Sequence, residues 1–200
     1  MRKLSYLLVA VLFLGVIACA KPPQDKMDLV VQALDTAKTA EAALYAGDSL
    51  RAAEDAQAAM QAEIDTQGQK FALFRSYKKA IELATAAEEA AKKTEQDAIA
   101  GKEKARMEAE TLINEAKTAI ATATEDLKKA PKGKGAQTDI AQLKADLDGA
   151  TATVTEADTE YSNGKYLDAK AKAQSAKDSA ATVSADIMKA IEMKKGLMKR

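Results

Sequence analysis

Apolar residues beyond position 137 return at alternating steps of three and four: Ile140, Leu143, Leu147, Ala150, Val154, Ala157 and Tyr161, then Tyr166, Ala169, Ala173, Ala176, Ala180, Val183, Ile187 and Ala190. That recurrence keeps one face of an α-helix apolar and leaves the rest polar. It predicts helices over 137–163 and 165–195, folded as an antiparallel hairpin about Asn163 and Gly164. Gly164 is the expected left-handed cap, a conformation that costs glycine little.

An earlier stretch follows the same plan. Met27, Val30, Leu34, Ala37 and Leu44 form one stripe, and Leu50, Ala53, Met60 and Ile64 form the return stripe. Gly47 is expected to end the first helix (26–46), and Asp48 to cap the second (48–66). The two turns align as "AGDSLRAAEDAQAA" on "NGKYLDAKAKAQSA", with Gly47 on Gly164, Ala52 on Ala169, Ala56 on Ala173 and Ala59 on Ala176. A third copy, "RSYKKAIELATAA", puts Tyr77, Ala80, Ala84 and Ala87 at the same offsets, which predicts an internal helical repeat.

Residues 70–130 read as one long helix. Ala109, Ile113, Ala116, Ile120, Ala123, Leu127 and Ala130 line its second half. Glu88 with Lys92, Glu89 with Lys93 and Glu125 with Lys129 have the spacing of surface ion pairs. Gly101 is the one candidate hinge, and "PKGKG" from Pro131 is the stop. The resulting expectation is an all-α fold of elongated antiparallel helical hairpins, coiled-coil-like, with two three-helix units sharing a long central helix. The units are expected over 27–100 and 101–200, end to end, in a rod about 90 Å long if the central helix is continuous.

Composition agrees with helices. Alanine supplies 45 of 200 residues, there is no Trp, and aromatics make up 4%. Lys and Arg number 30 and so do Asp and Glu, with both signs interspersed, so no basic face argues for nucleic acid. With no histidine, one cysteine and no glycine-rich phosphate loop, the chain reads as a non-enzyme, and no catalytic, cofactor or metal residues are assigned. The many carboxylates read as solvated helix faces. Met188, Met193 and Met198 read as core fillers, because steps of five do not share a helix face. Tyr45, Tyr77, Tyr161 and Tyr166, near turns and helix starts, read as packing caps.

The single cysteine needs its own account. Arg2 and Lys3 precede an apolar run from Leu4 to Ala18 that is too short to span a bilayer, and Cys19 follows directly. Residues 1–18 read as an export signal and 19–26 as a tether. Val16, Ile17, Ala18 and Cys19 resemble the lipobox of bacterial lipoproteins. The resemblance implies that the Cys19 sulfur takes up diacylglycerol and that its freed amine takes a further fatty chain such as palmitate. Two or three chains hold a protein stably where one does not. Ala20, in place of an aspartate, resembles sorting to the periplasmic face of the outer membrane.

The turn "GKYLDAKAKAQSAKDSA", preceded by "APKGKG" and a helical seam, resembles an uncharacterised, tetratricopeptide-like helical-hairpin domain of bacterial envelope lipoproteins, over about residues 28–192. The bulky positions of a true tetratricopeptide are missing. What the resemblance implies is a membrane-anchored scaffold or protein-interaction module with an envelope protein as partner. The alternative is a structural spacer to peptidoglycan; small helical lipoproteins of that kind are linked through a terminal lysine, whereas here Arg200 follows Lys199.

Overall fold

The computed structural model describes residues 21–131 and 137–197, so Cys19 and the signal-like segment lie outside the described residues. The fold is all-α, 90% helical. Among the described residues six α-helices follow in order: α1 (Gln24–Thr39), α2 (Ala42–Tyr45), α3 (Gly47–Gly68), α4 (Lys78–Lys129), α5 (Gln137–Ser162) and α6 (Tyr166–Leu197), with a 3-10 turn at Ala72–Phe74. They make two compact units, residues 1–101 and 102–200, and α4 runs through Gly101 without a break.

In the first unit α1 to α3 pack with the N-terminal part of α4. Lys38 pairs with Glu54 at 3.0 Å, the Ser49 hydroxyl donates to Asp97 at 2.6 Å, and Lys79 pairs with Glu63 at 3.3 Å. These contacts place α3 antiparallel to both neighbours. Val30, Leu34, Met60 and Ile64 fill the space against Tyr77, Ala80, Ala84, Ala87, Ala91 and Ala98. In the second unit Ile113, Ala116, Val154, Ala157, Ala173 and Ala176 form one core cluster. Ala123, Leu147, Ala180, Val183 and Ile187 form a second one, and Ile120 touches both. Small residues on one helix let its neighbour come close, and larger ones opposite fill what is left.

Several expectations are corrected. The first predicted helix breaks after Thr39: Glu41 takes a left-handed φ of 61°, which costs a non-glycine residue roughly 1–2 kcal/mol. The break turns Ala42 into the core and leaves Leu44 63% exposed rather than on the stripe. Gly47 does not end a helix. It begins α3, whose N-cap is Ala46, so Asp48 lies in the first turn and is not the cap. Residues 70–77 are not α-helical, since the chain leaves α3 at Gly68 and makes the Ala72–Phe74 3-10 turn before α4. Glu88 and Lys92 do pair, at 2.6 Å. Lys93, by contrast, turns to Asp97, and Asp126 rather than Glu125 holds Lys129.

The repeat also lies elsewhere than the turn alignment placed it. Ala52 and Ala59 are exposed while Ala169 and Ala176 are buried. The third copy matches instead: Tyr77, Ala80, Ala84, Ala87, Ala91, Thr94 and Ala98 stand 89 positions before Tyr166, Ala169, Ala173, Ala176, Ala180, Val183 and Ile187, with Tyr166 alone less than fully buried. Leu50, Ala53, Met60, Ile64 and Gln67 of α3 likewise stand 90 before Ile140, Leu143, Ala150, Val154 and Ala157 of α5. Burial thus repeats at the scale of a three-helix unit, not of a hairpin.

Gly164 caps α5 as expected, with φ 78°. The Gly164 amide donates to the Tyr161 carbonyl at 3.0 Å and the Lys165 amide to the Glu160 carbonyl at 2.9 Å, the paired bonds of a Schellman motif. Gly101 has a different task. A Cβ there would stand 2.4 Å from the Tyr45 carbonyl oxygen, so this helix position is glycine because backbone from α2 lies against it. Gly149, inside α5, has open space around the same position. The same substitution should therefore act in opposite directions. Gly149→Ala should raise stability by up to about 1 kcal/mol through helix propensity, whereas Gly101→Ala should lower it by about 1–3 kcal/mol through overpacking. Denaturant unfolding of the two variants measures both signs.

Candidate functional site

The residue singled out for chemistry, Cys19, lies outside the described residues; what the structure supplies is the surface carried behind it. Among the described residues, no three His, Cys, Asp or Glu side chains gather closely enough to hold a metal ion, and no helix is long and apolar enough to cross a membrane.

The most connected polar cluster sits at the α5–α6 turn of the second unit. Tyr161 and Tyr166 meet edge to face, ring centres 5.4 Å apart, where the Schellman turn brings one helix end over the next helix start. The Arg106 guanidinium donates to Glu103 at 2.8 and 2.9 Å and to the Tyr161 hydroxyl at 3.1 Å, and that hydroxyl donates to Glu110 at 3.3 Å. Beside it Lys170 donates to Glu108 at 2.5 Å, Lys172 to Glu156 at 2.7 Å, and Lys177 to Glu115 at 2.6 Å. Two of the tyrosines read as packing caps thus pack on each other, and one also orients a charge. Tyr77 is buried at the start of the α4 seam, and Tyr45 presents its carbonyl to Gly101.

The methionine expectation fails. Met188 and Met193 are 54% and 58% exposed, because their helix turns Val183 and Ile187 inward instead; Met198 lies outside the described residues. Met188 edges a groove of about 760 Å³ between the C-terminal half of α4 and α6, lined by Thr118, Ala119, Thr122, Ala181 and Ala185. Its walls are methyls and hydroxyls, with Glu115 engaged by Lys177 at the rim. It offers shape, and the one carboxylate lining it, Glu115, is already paired.

Three buried polar residues escaped the apolar pattern. Thr94 stands in the seam where the second unit has Val183, and its hydroxyl is shared between the carbonyls of Ser49 and Ala90, both at 2.9 Å. Gln67 bridges Glu63 and the Ser76 amide. Asp126 accepts from Ser184 of α6 and from Lys129. A serine or threonine one helix away is the only sequence signal for such pairs, and it has no fixed spacing.

Six carboxylates are held more readily ionised than usual by their donors. Asp126 lies below the usual range, chiefly through the Ser184 hydroxyl and then Lys129. Asp97 is lowered by Lys93 and then Ser49, Glu108 by Lys170, Glu103 by Arg106, Glu88 by Lys92, and Glu63 by the Gln67 amide. In complement, Glu103 raises Arg106 and Glu88 raises Lys92.

No protein-family model matches the chain, and no curated protein or solved structure matches it.

The pH behaviour follows from these directions. Carboxylates lowered by folding contribute stability that is present above their ordinary pKa and lost as pH falls through the lower folded values. Ser184→Ala removes the largest cause acting on Asp126. The variant should melt below the parent at pH 7, and the gap should narrow as pH falls through the lowered value that Asp126 has in the folded parent. Thermal melts across that range measure it.

Proposed function

We propose that this chain is a lipid-anchored, non-enzymatic scaffold of the bacterial cell envelope, with Cys19 acylated and the two helical units offered to an envelope protein partner. The observation that carries the reading is the order of its N-terminal residues. Two basic residues, an apolar run and Val16-Ile17-Ala18-Cys19 lead, after only residues 20–23, into the first turn of α1. A thiol at that junction is where acyl transfer needs a nucleophile, and a second or third chain on the same residue makes the attachment stable.

The side-chain chemistry behind the anchor supports a binding role. A general acid working near neutral pH needs a carboxyl raised towards that pH. Here Glu63, Glu88, Asp97, Glu103, Glu108 and Asp126 are all lowered by hydroxyl, amide or cationic donors. Several cations are engaged across helices in the same way, as Lys117 is with Asp158 at 2.8 Å. Such a surface recognises by shape and charge. The position of Ala20 favours the periplasmic face of the outer membrane as the site of attachment.

Cys19→Ser tests the anchor. Cells fed labelled palmitate should acylate the parent protein and leave the serine variant without label, because a hydroxyl does not replace the thiolate in the transfer. Label retained on the variant would show that the acyl chains are not on Cys19.

A further inference from the structure

Among the described residues of the first unit, the segment joining α3 to α4 is the most apolar exposed feature. Phe71, Leu73 and Phe74 are 69%, 64% and 75% exposed, and the two phenylalanine rings stand 6.4 Å apart. Such side chains usually turn inward. Here the backbone is fastened so that they do not. Arg75 donates through Nε to the Lys70 carbonyl at 2.9 Å and through Nη2 to the Gly68 carbonyl at 2.8 Å. Buried Gln67 accepts the Ser76 amide at 3.2 Å, and the Phe74 amide closes the turn on the Phe71 carbonyl at 2.9 Å. Tyr77 then plugs the core at the start of the α4 seam.

The tip is also basic. Between Asp65 and Glu82 the charged residues are Lys70, Arg75, Lys78 and Lys79, with no acid among them, in a chain whose charges sum to zero. Lys79 leans on Glu63, while Lys70 and Lys78 are exposed and make no ion pair with another described residue. Aromatic and leucine side chains ringed by lysines suit the boundary of an anionic bilayer, where the rings lie among the headgroups and the ammonium groups meet lipid phosphates.

Topology puts this tip at the end of the unit where the chain arrives from Cys19. Lys38 near the end of α1 pairs with Glu54 near the start of α3, and Tyr45 abuts Gly101, so Gln24, Gly68 and Lys78 share the other end. Residues 20–23 span at most about 18 Å from Cys19 to Gln24 at roughly 3.6 Å per residue.

We infer that the Phe71–Arg75 loop is a membrane-contact element that inserts Phe71, Leu73 and Phe74 shallowly into an anionic lipid surface. The inference rests on the lipid-anchor reading for which surface lies within reach. A lipid surface fits better than a protein partner because three adjacent side chains are too small a patch for a stable protein interface, yet enough to add to acyl chains already inserted.

The chain has no tryptophan, so Phe74→Trp makes a single reporter at the tip, and Leu44→Trp makes one at the exposed turn at the other end of the unit. Each full-chain protein, purified from bacterial membranes, is reconstituted into vesicles of phosphatidylethanolamine and phosphatidylglycerol. Brominated acyl chains should quench the Phe74→Trp reporter several-fold more than the Leu44→Trp reporter, and its emission should shift to the blue. Lys70→Glu with Lys78→Glu, or phosphatidylcholine in place of the phosphatidylglycerol, should weaken both effects. If the protein floats with the vesicles while the two reporters are quenched alike, the loop proposal is overturned and the anchor stands. If quenching persists in protein that carries no palmitate label, the anchor reading fails and the loop proposal is upheld.

Discussion

The closeness of helix to helix is the constraint on which the rest of this structure depends. Ala80, Ala84, Ala87, Ala91 and Ala98 of α4 and Ala169, Ala173, Ala176 and Ala180 of α6 are buried at the seams. A methyl is all that stands between one backbone and the side chains opposite. Tyr45 against Gly101 is the limiting case, where a carbonyl reaches the helix itself and even a methyl is excluded. Larger groups fill most facing positions: Val30, Leu34, Met60 and Ile64 in one unit, Leu147 and Val154 in the other. The lone glycine of the long helix is thus a place of tightest contact and not of bending.

An alanine face is smooth, and a smooth face specifies register poorly, since sliding by one turn brings alanine opposite alanine again. The charged margins supply what the seam lacks. Lys117 reaches Asp158, Lys170 reaches Glu108, Lys177 reaches Glu115, and Lys38 reaches Glu54, each across two helices. An exposed pair of this kind contributes little to stability alone. As a set they penalise every shifted alignment, and the buried Asp126–Ser184 and Thr94–Ser49 bonds add directional contacts that a slipped helix cannot make.

What the sequence made legible follows from the same physics. The seams of α5 and α6 could be read residue by residue because their three-four period is unbroken for two dozen positions, and Gly164 announces its turn by being the residue that tolerates positive φ. Glu41 sends no such signal; its left-handed turn is imposed by tertiary packing that seats Ala42 and Tyr45. Gly47 was a misleading marker, since a glycine can begin a helix as well as end one. Phe71 to Phe74 are compatible with a helix, so their departure is visible only in the fastening of Arg75 to two carbonyls. Of the site, Cys19 is proposed from its immediate neighbours alone and lies outside the described residues. The polar partners of Tyr161, Asp126 and Thr94 were not legible, because they join residues 45 to 58 positions apart.

Alanine seams have a thermal consequence as well. Unfolding raises the heat capacity in proportion to the apolar surface it wets and lowers it in proportion to the polar surface, and a methyl seam exposes much backbone for little hydrocarbon. The heat-capacity increment per residue therefore falls below the roughly 12–15 cal/mol/K of ordinary globular domains, and the curve of stability against temperature flattens. A protein built this way keeps nearly the same modest margin in the cold as in the warm.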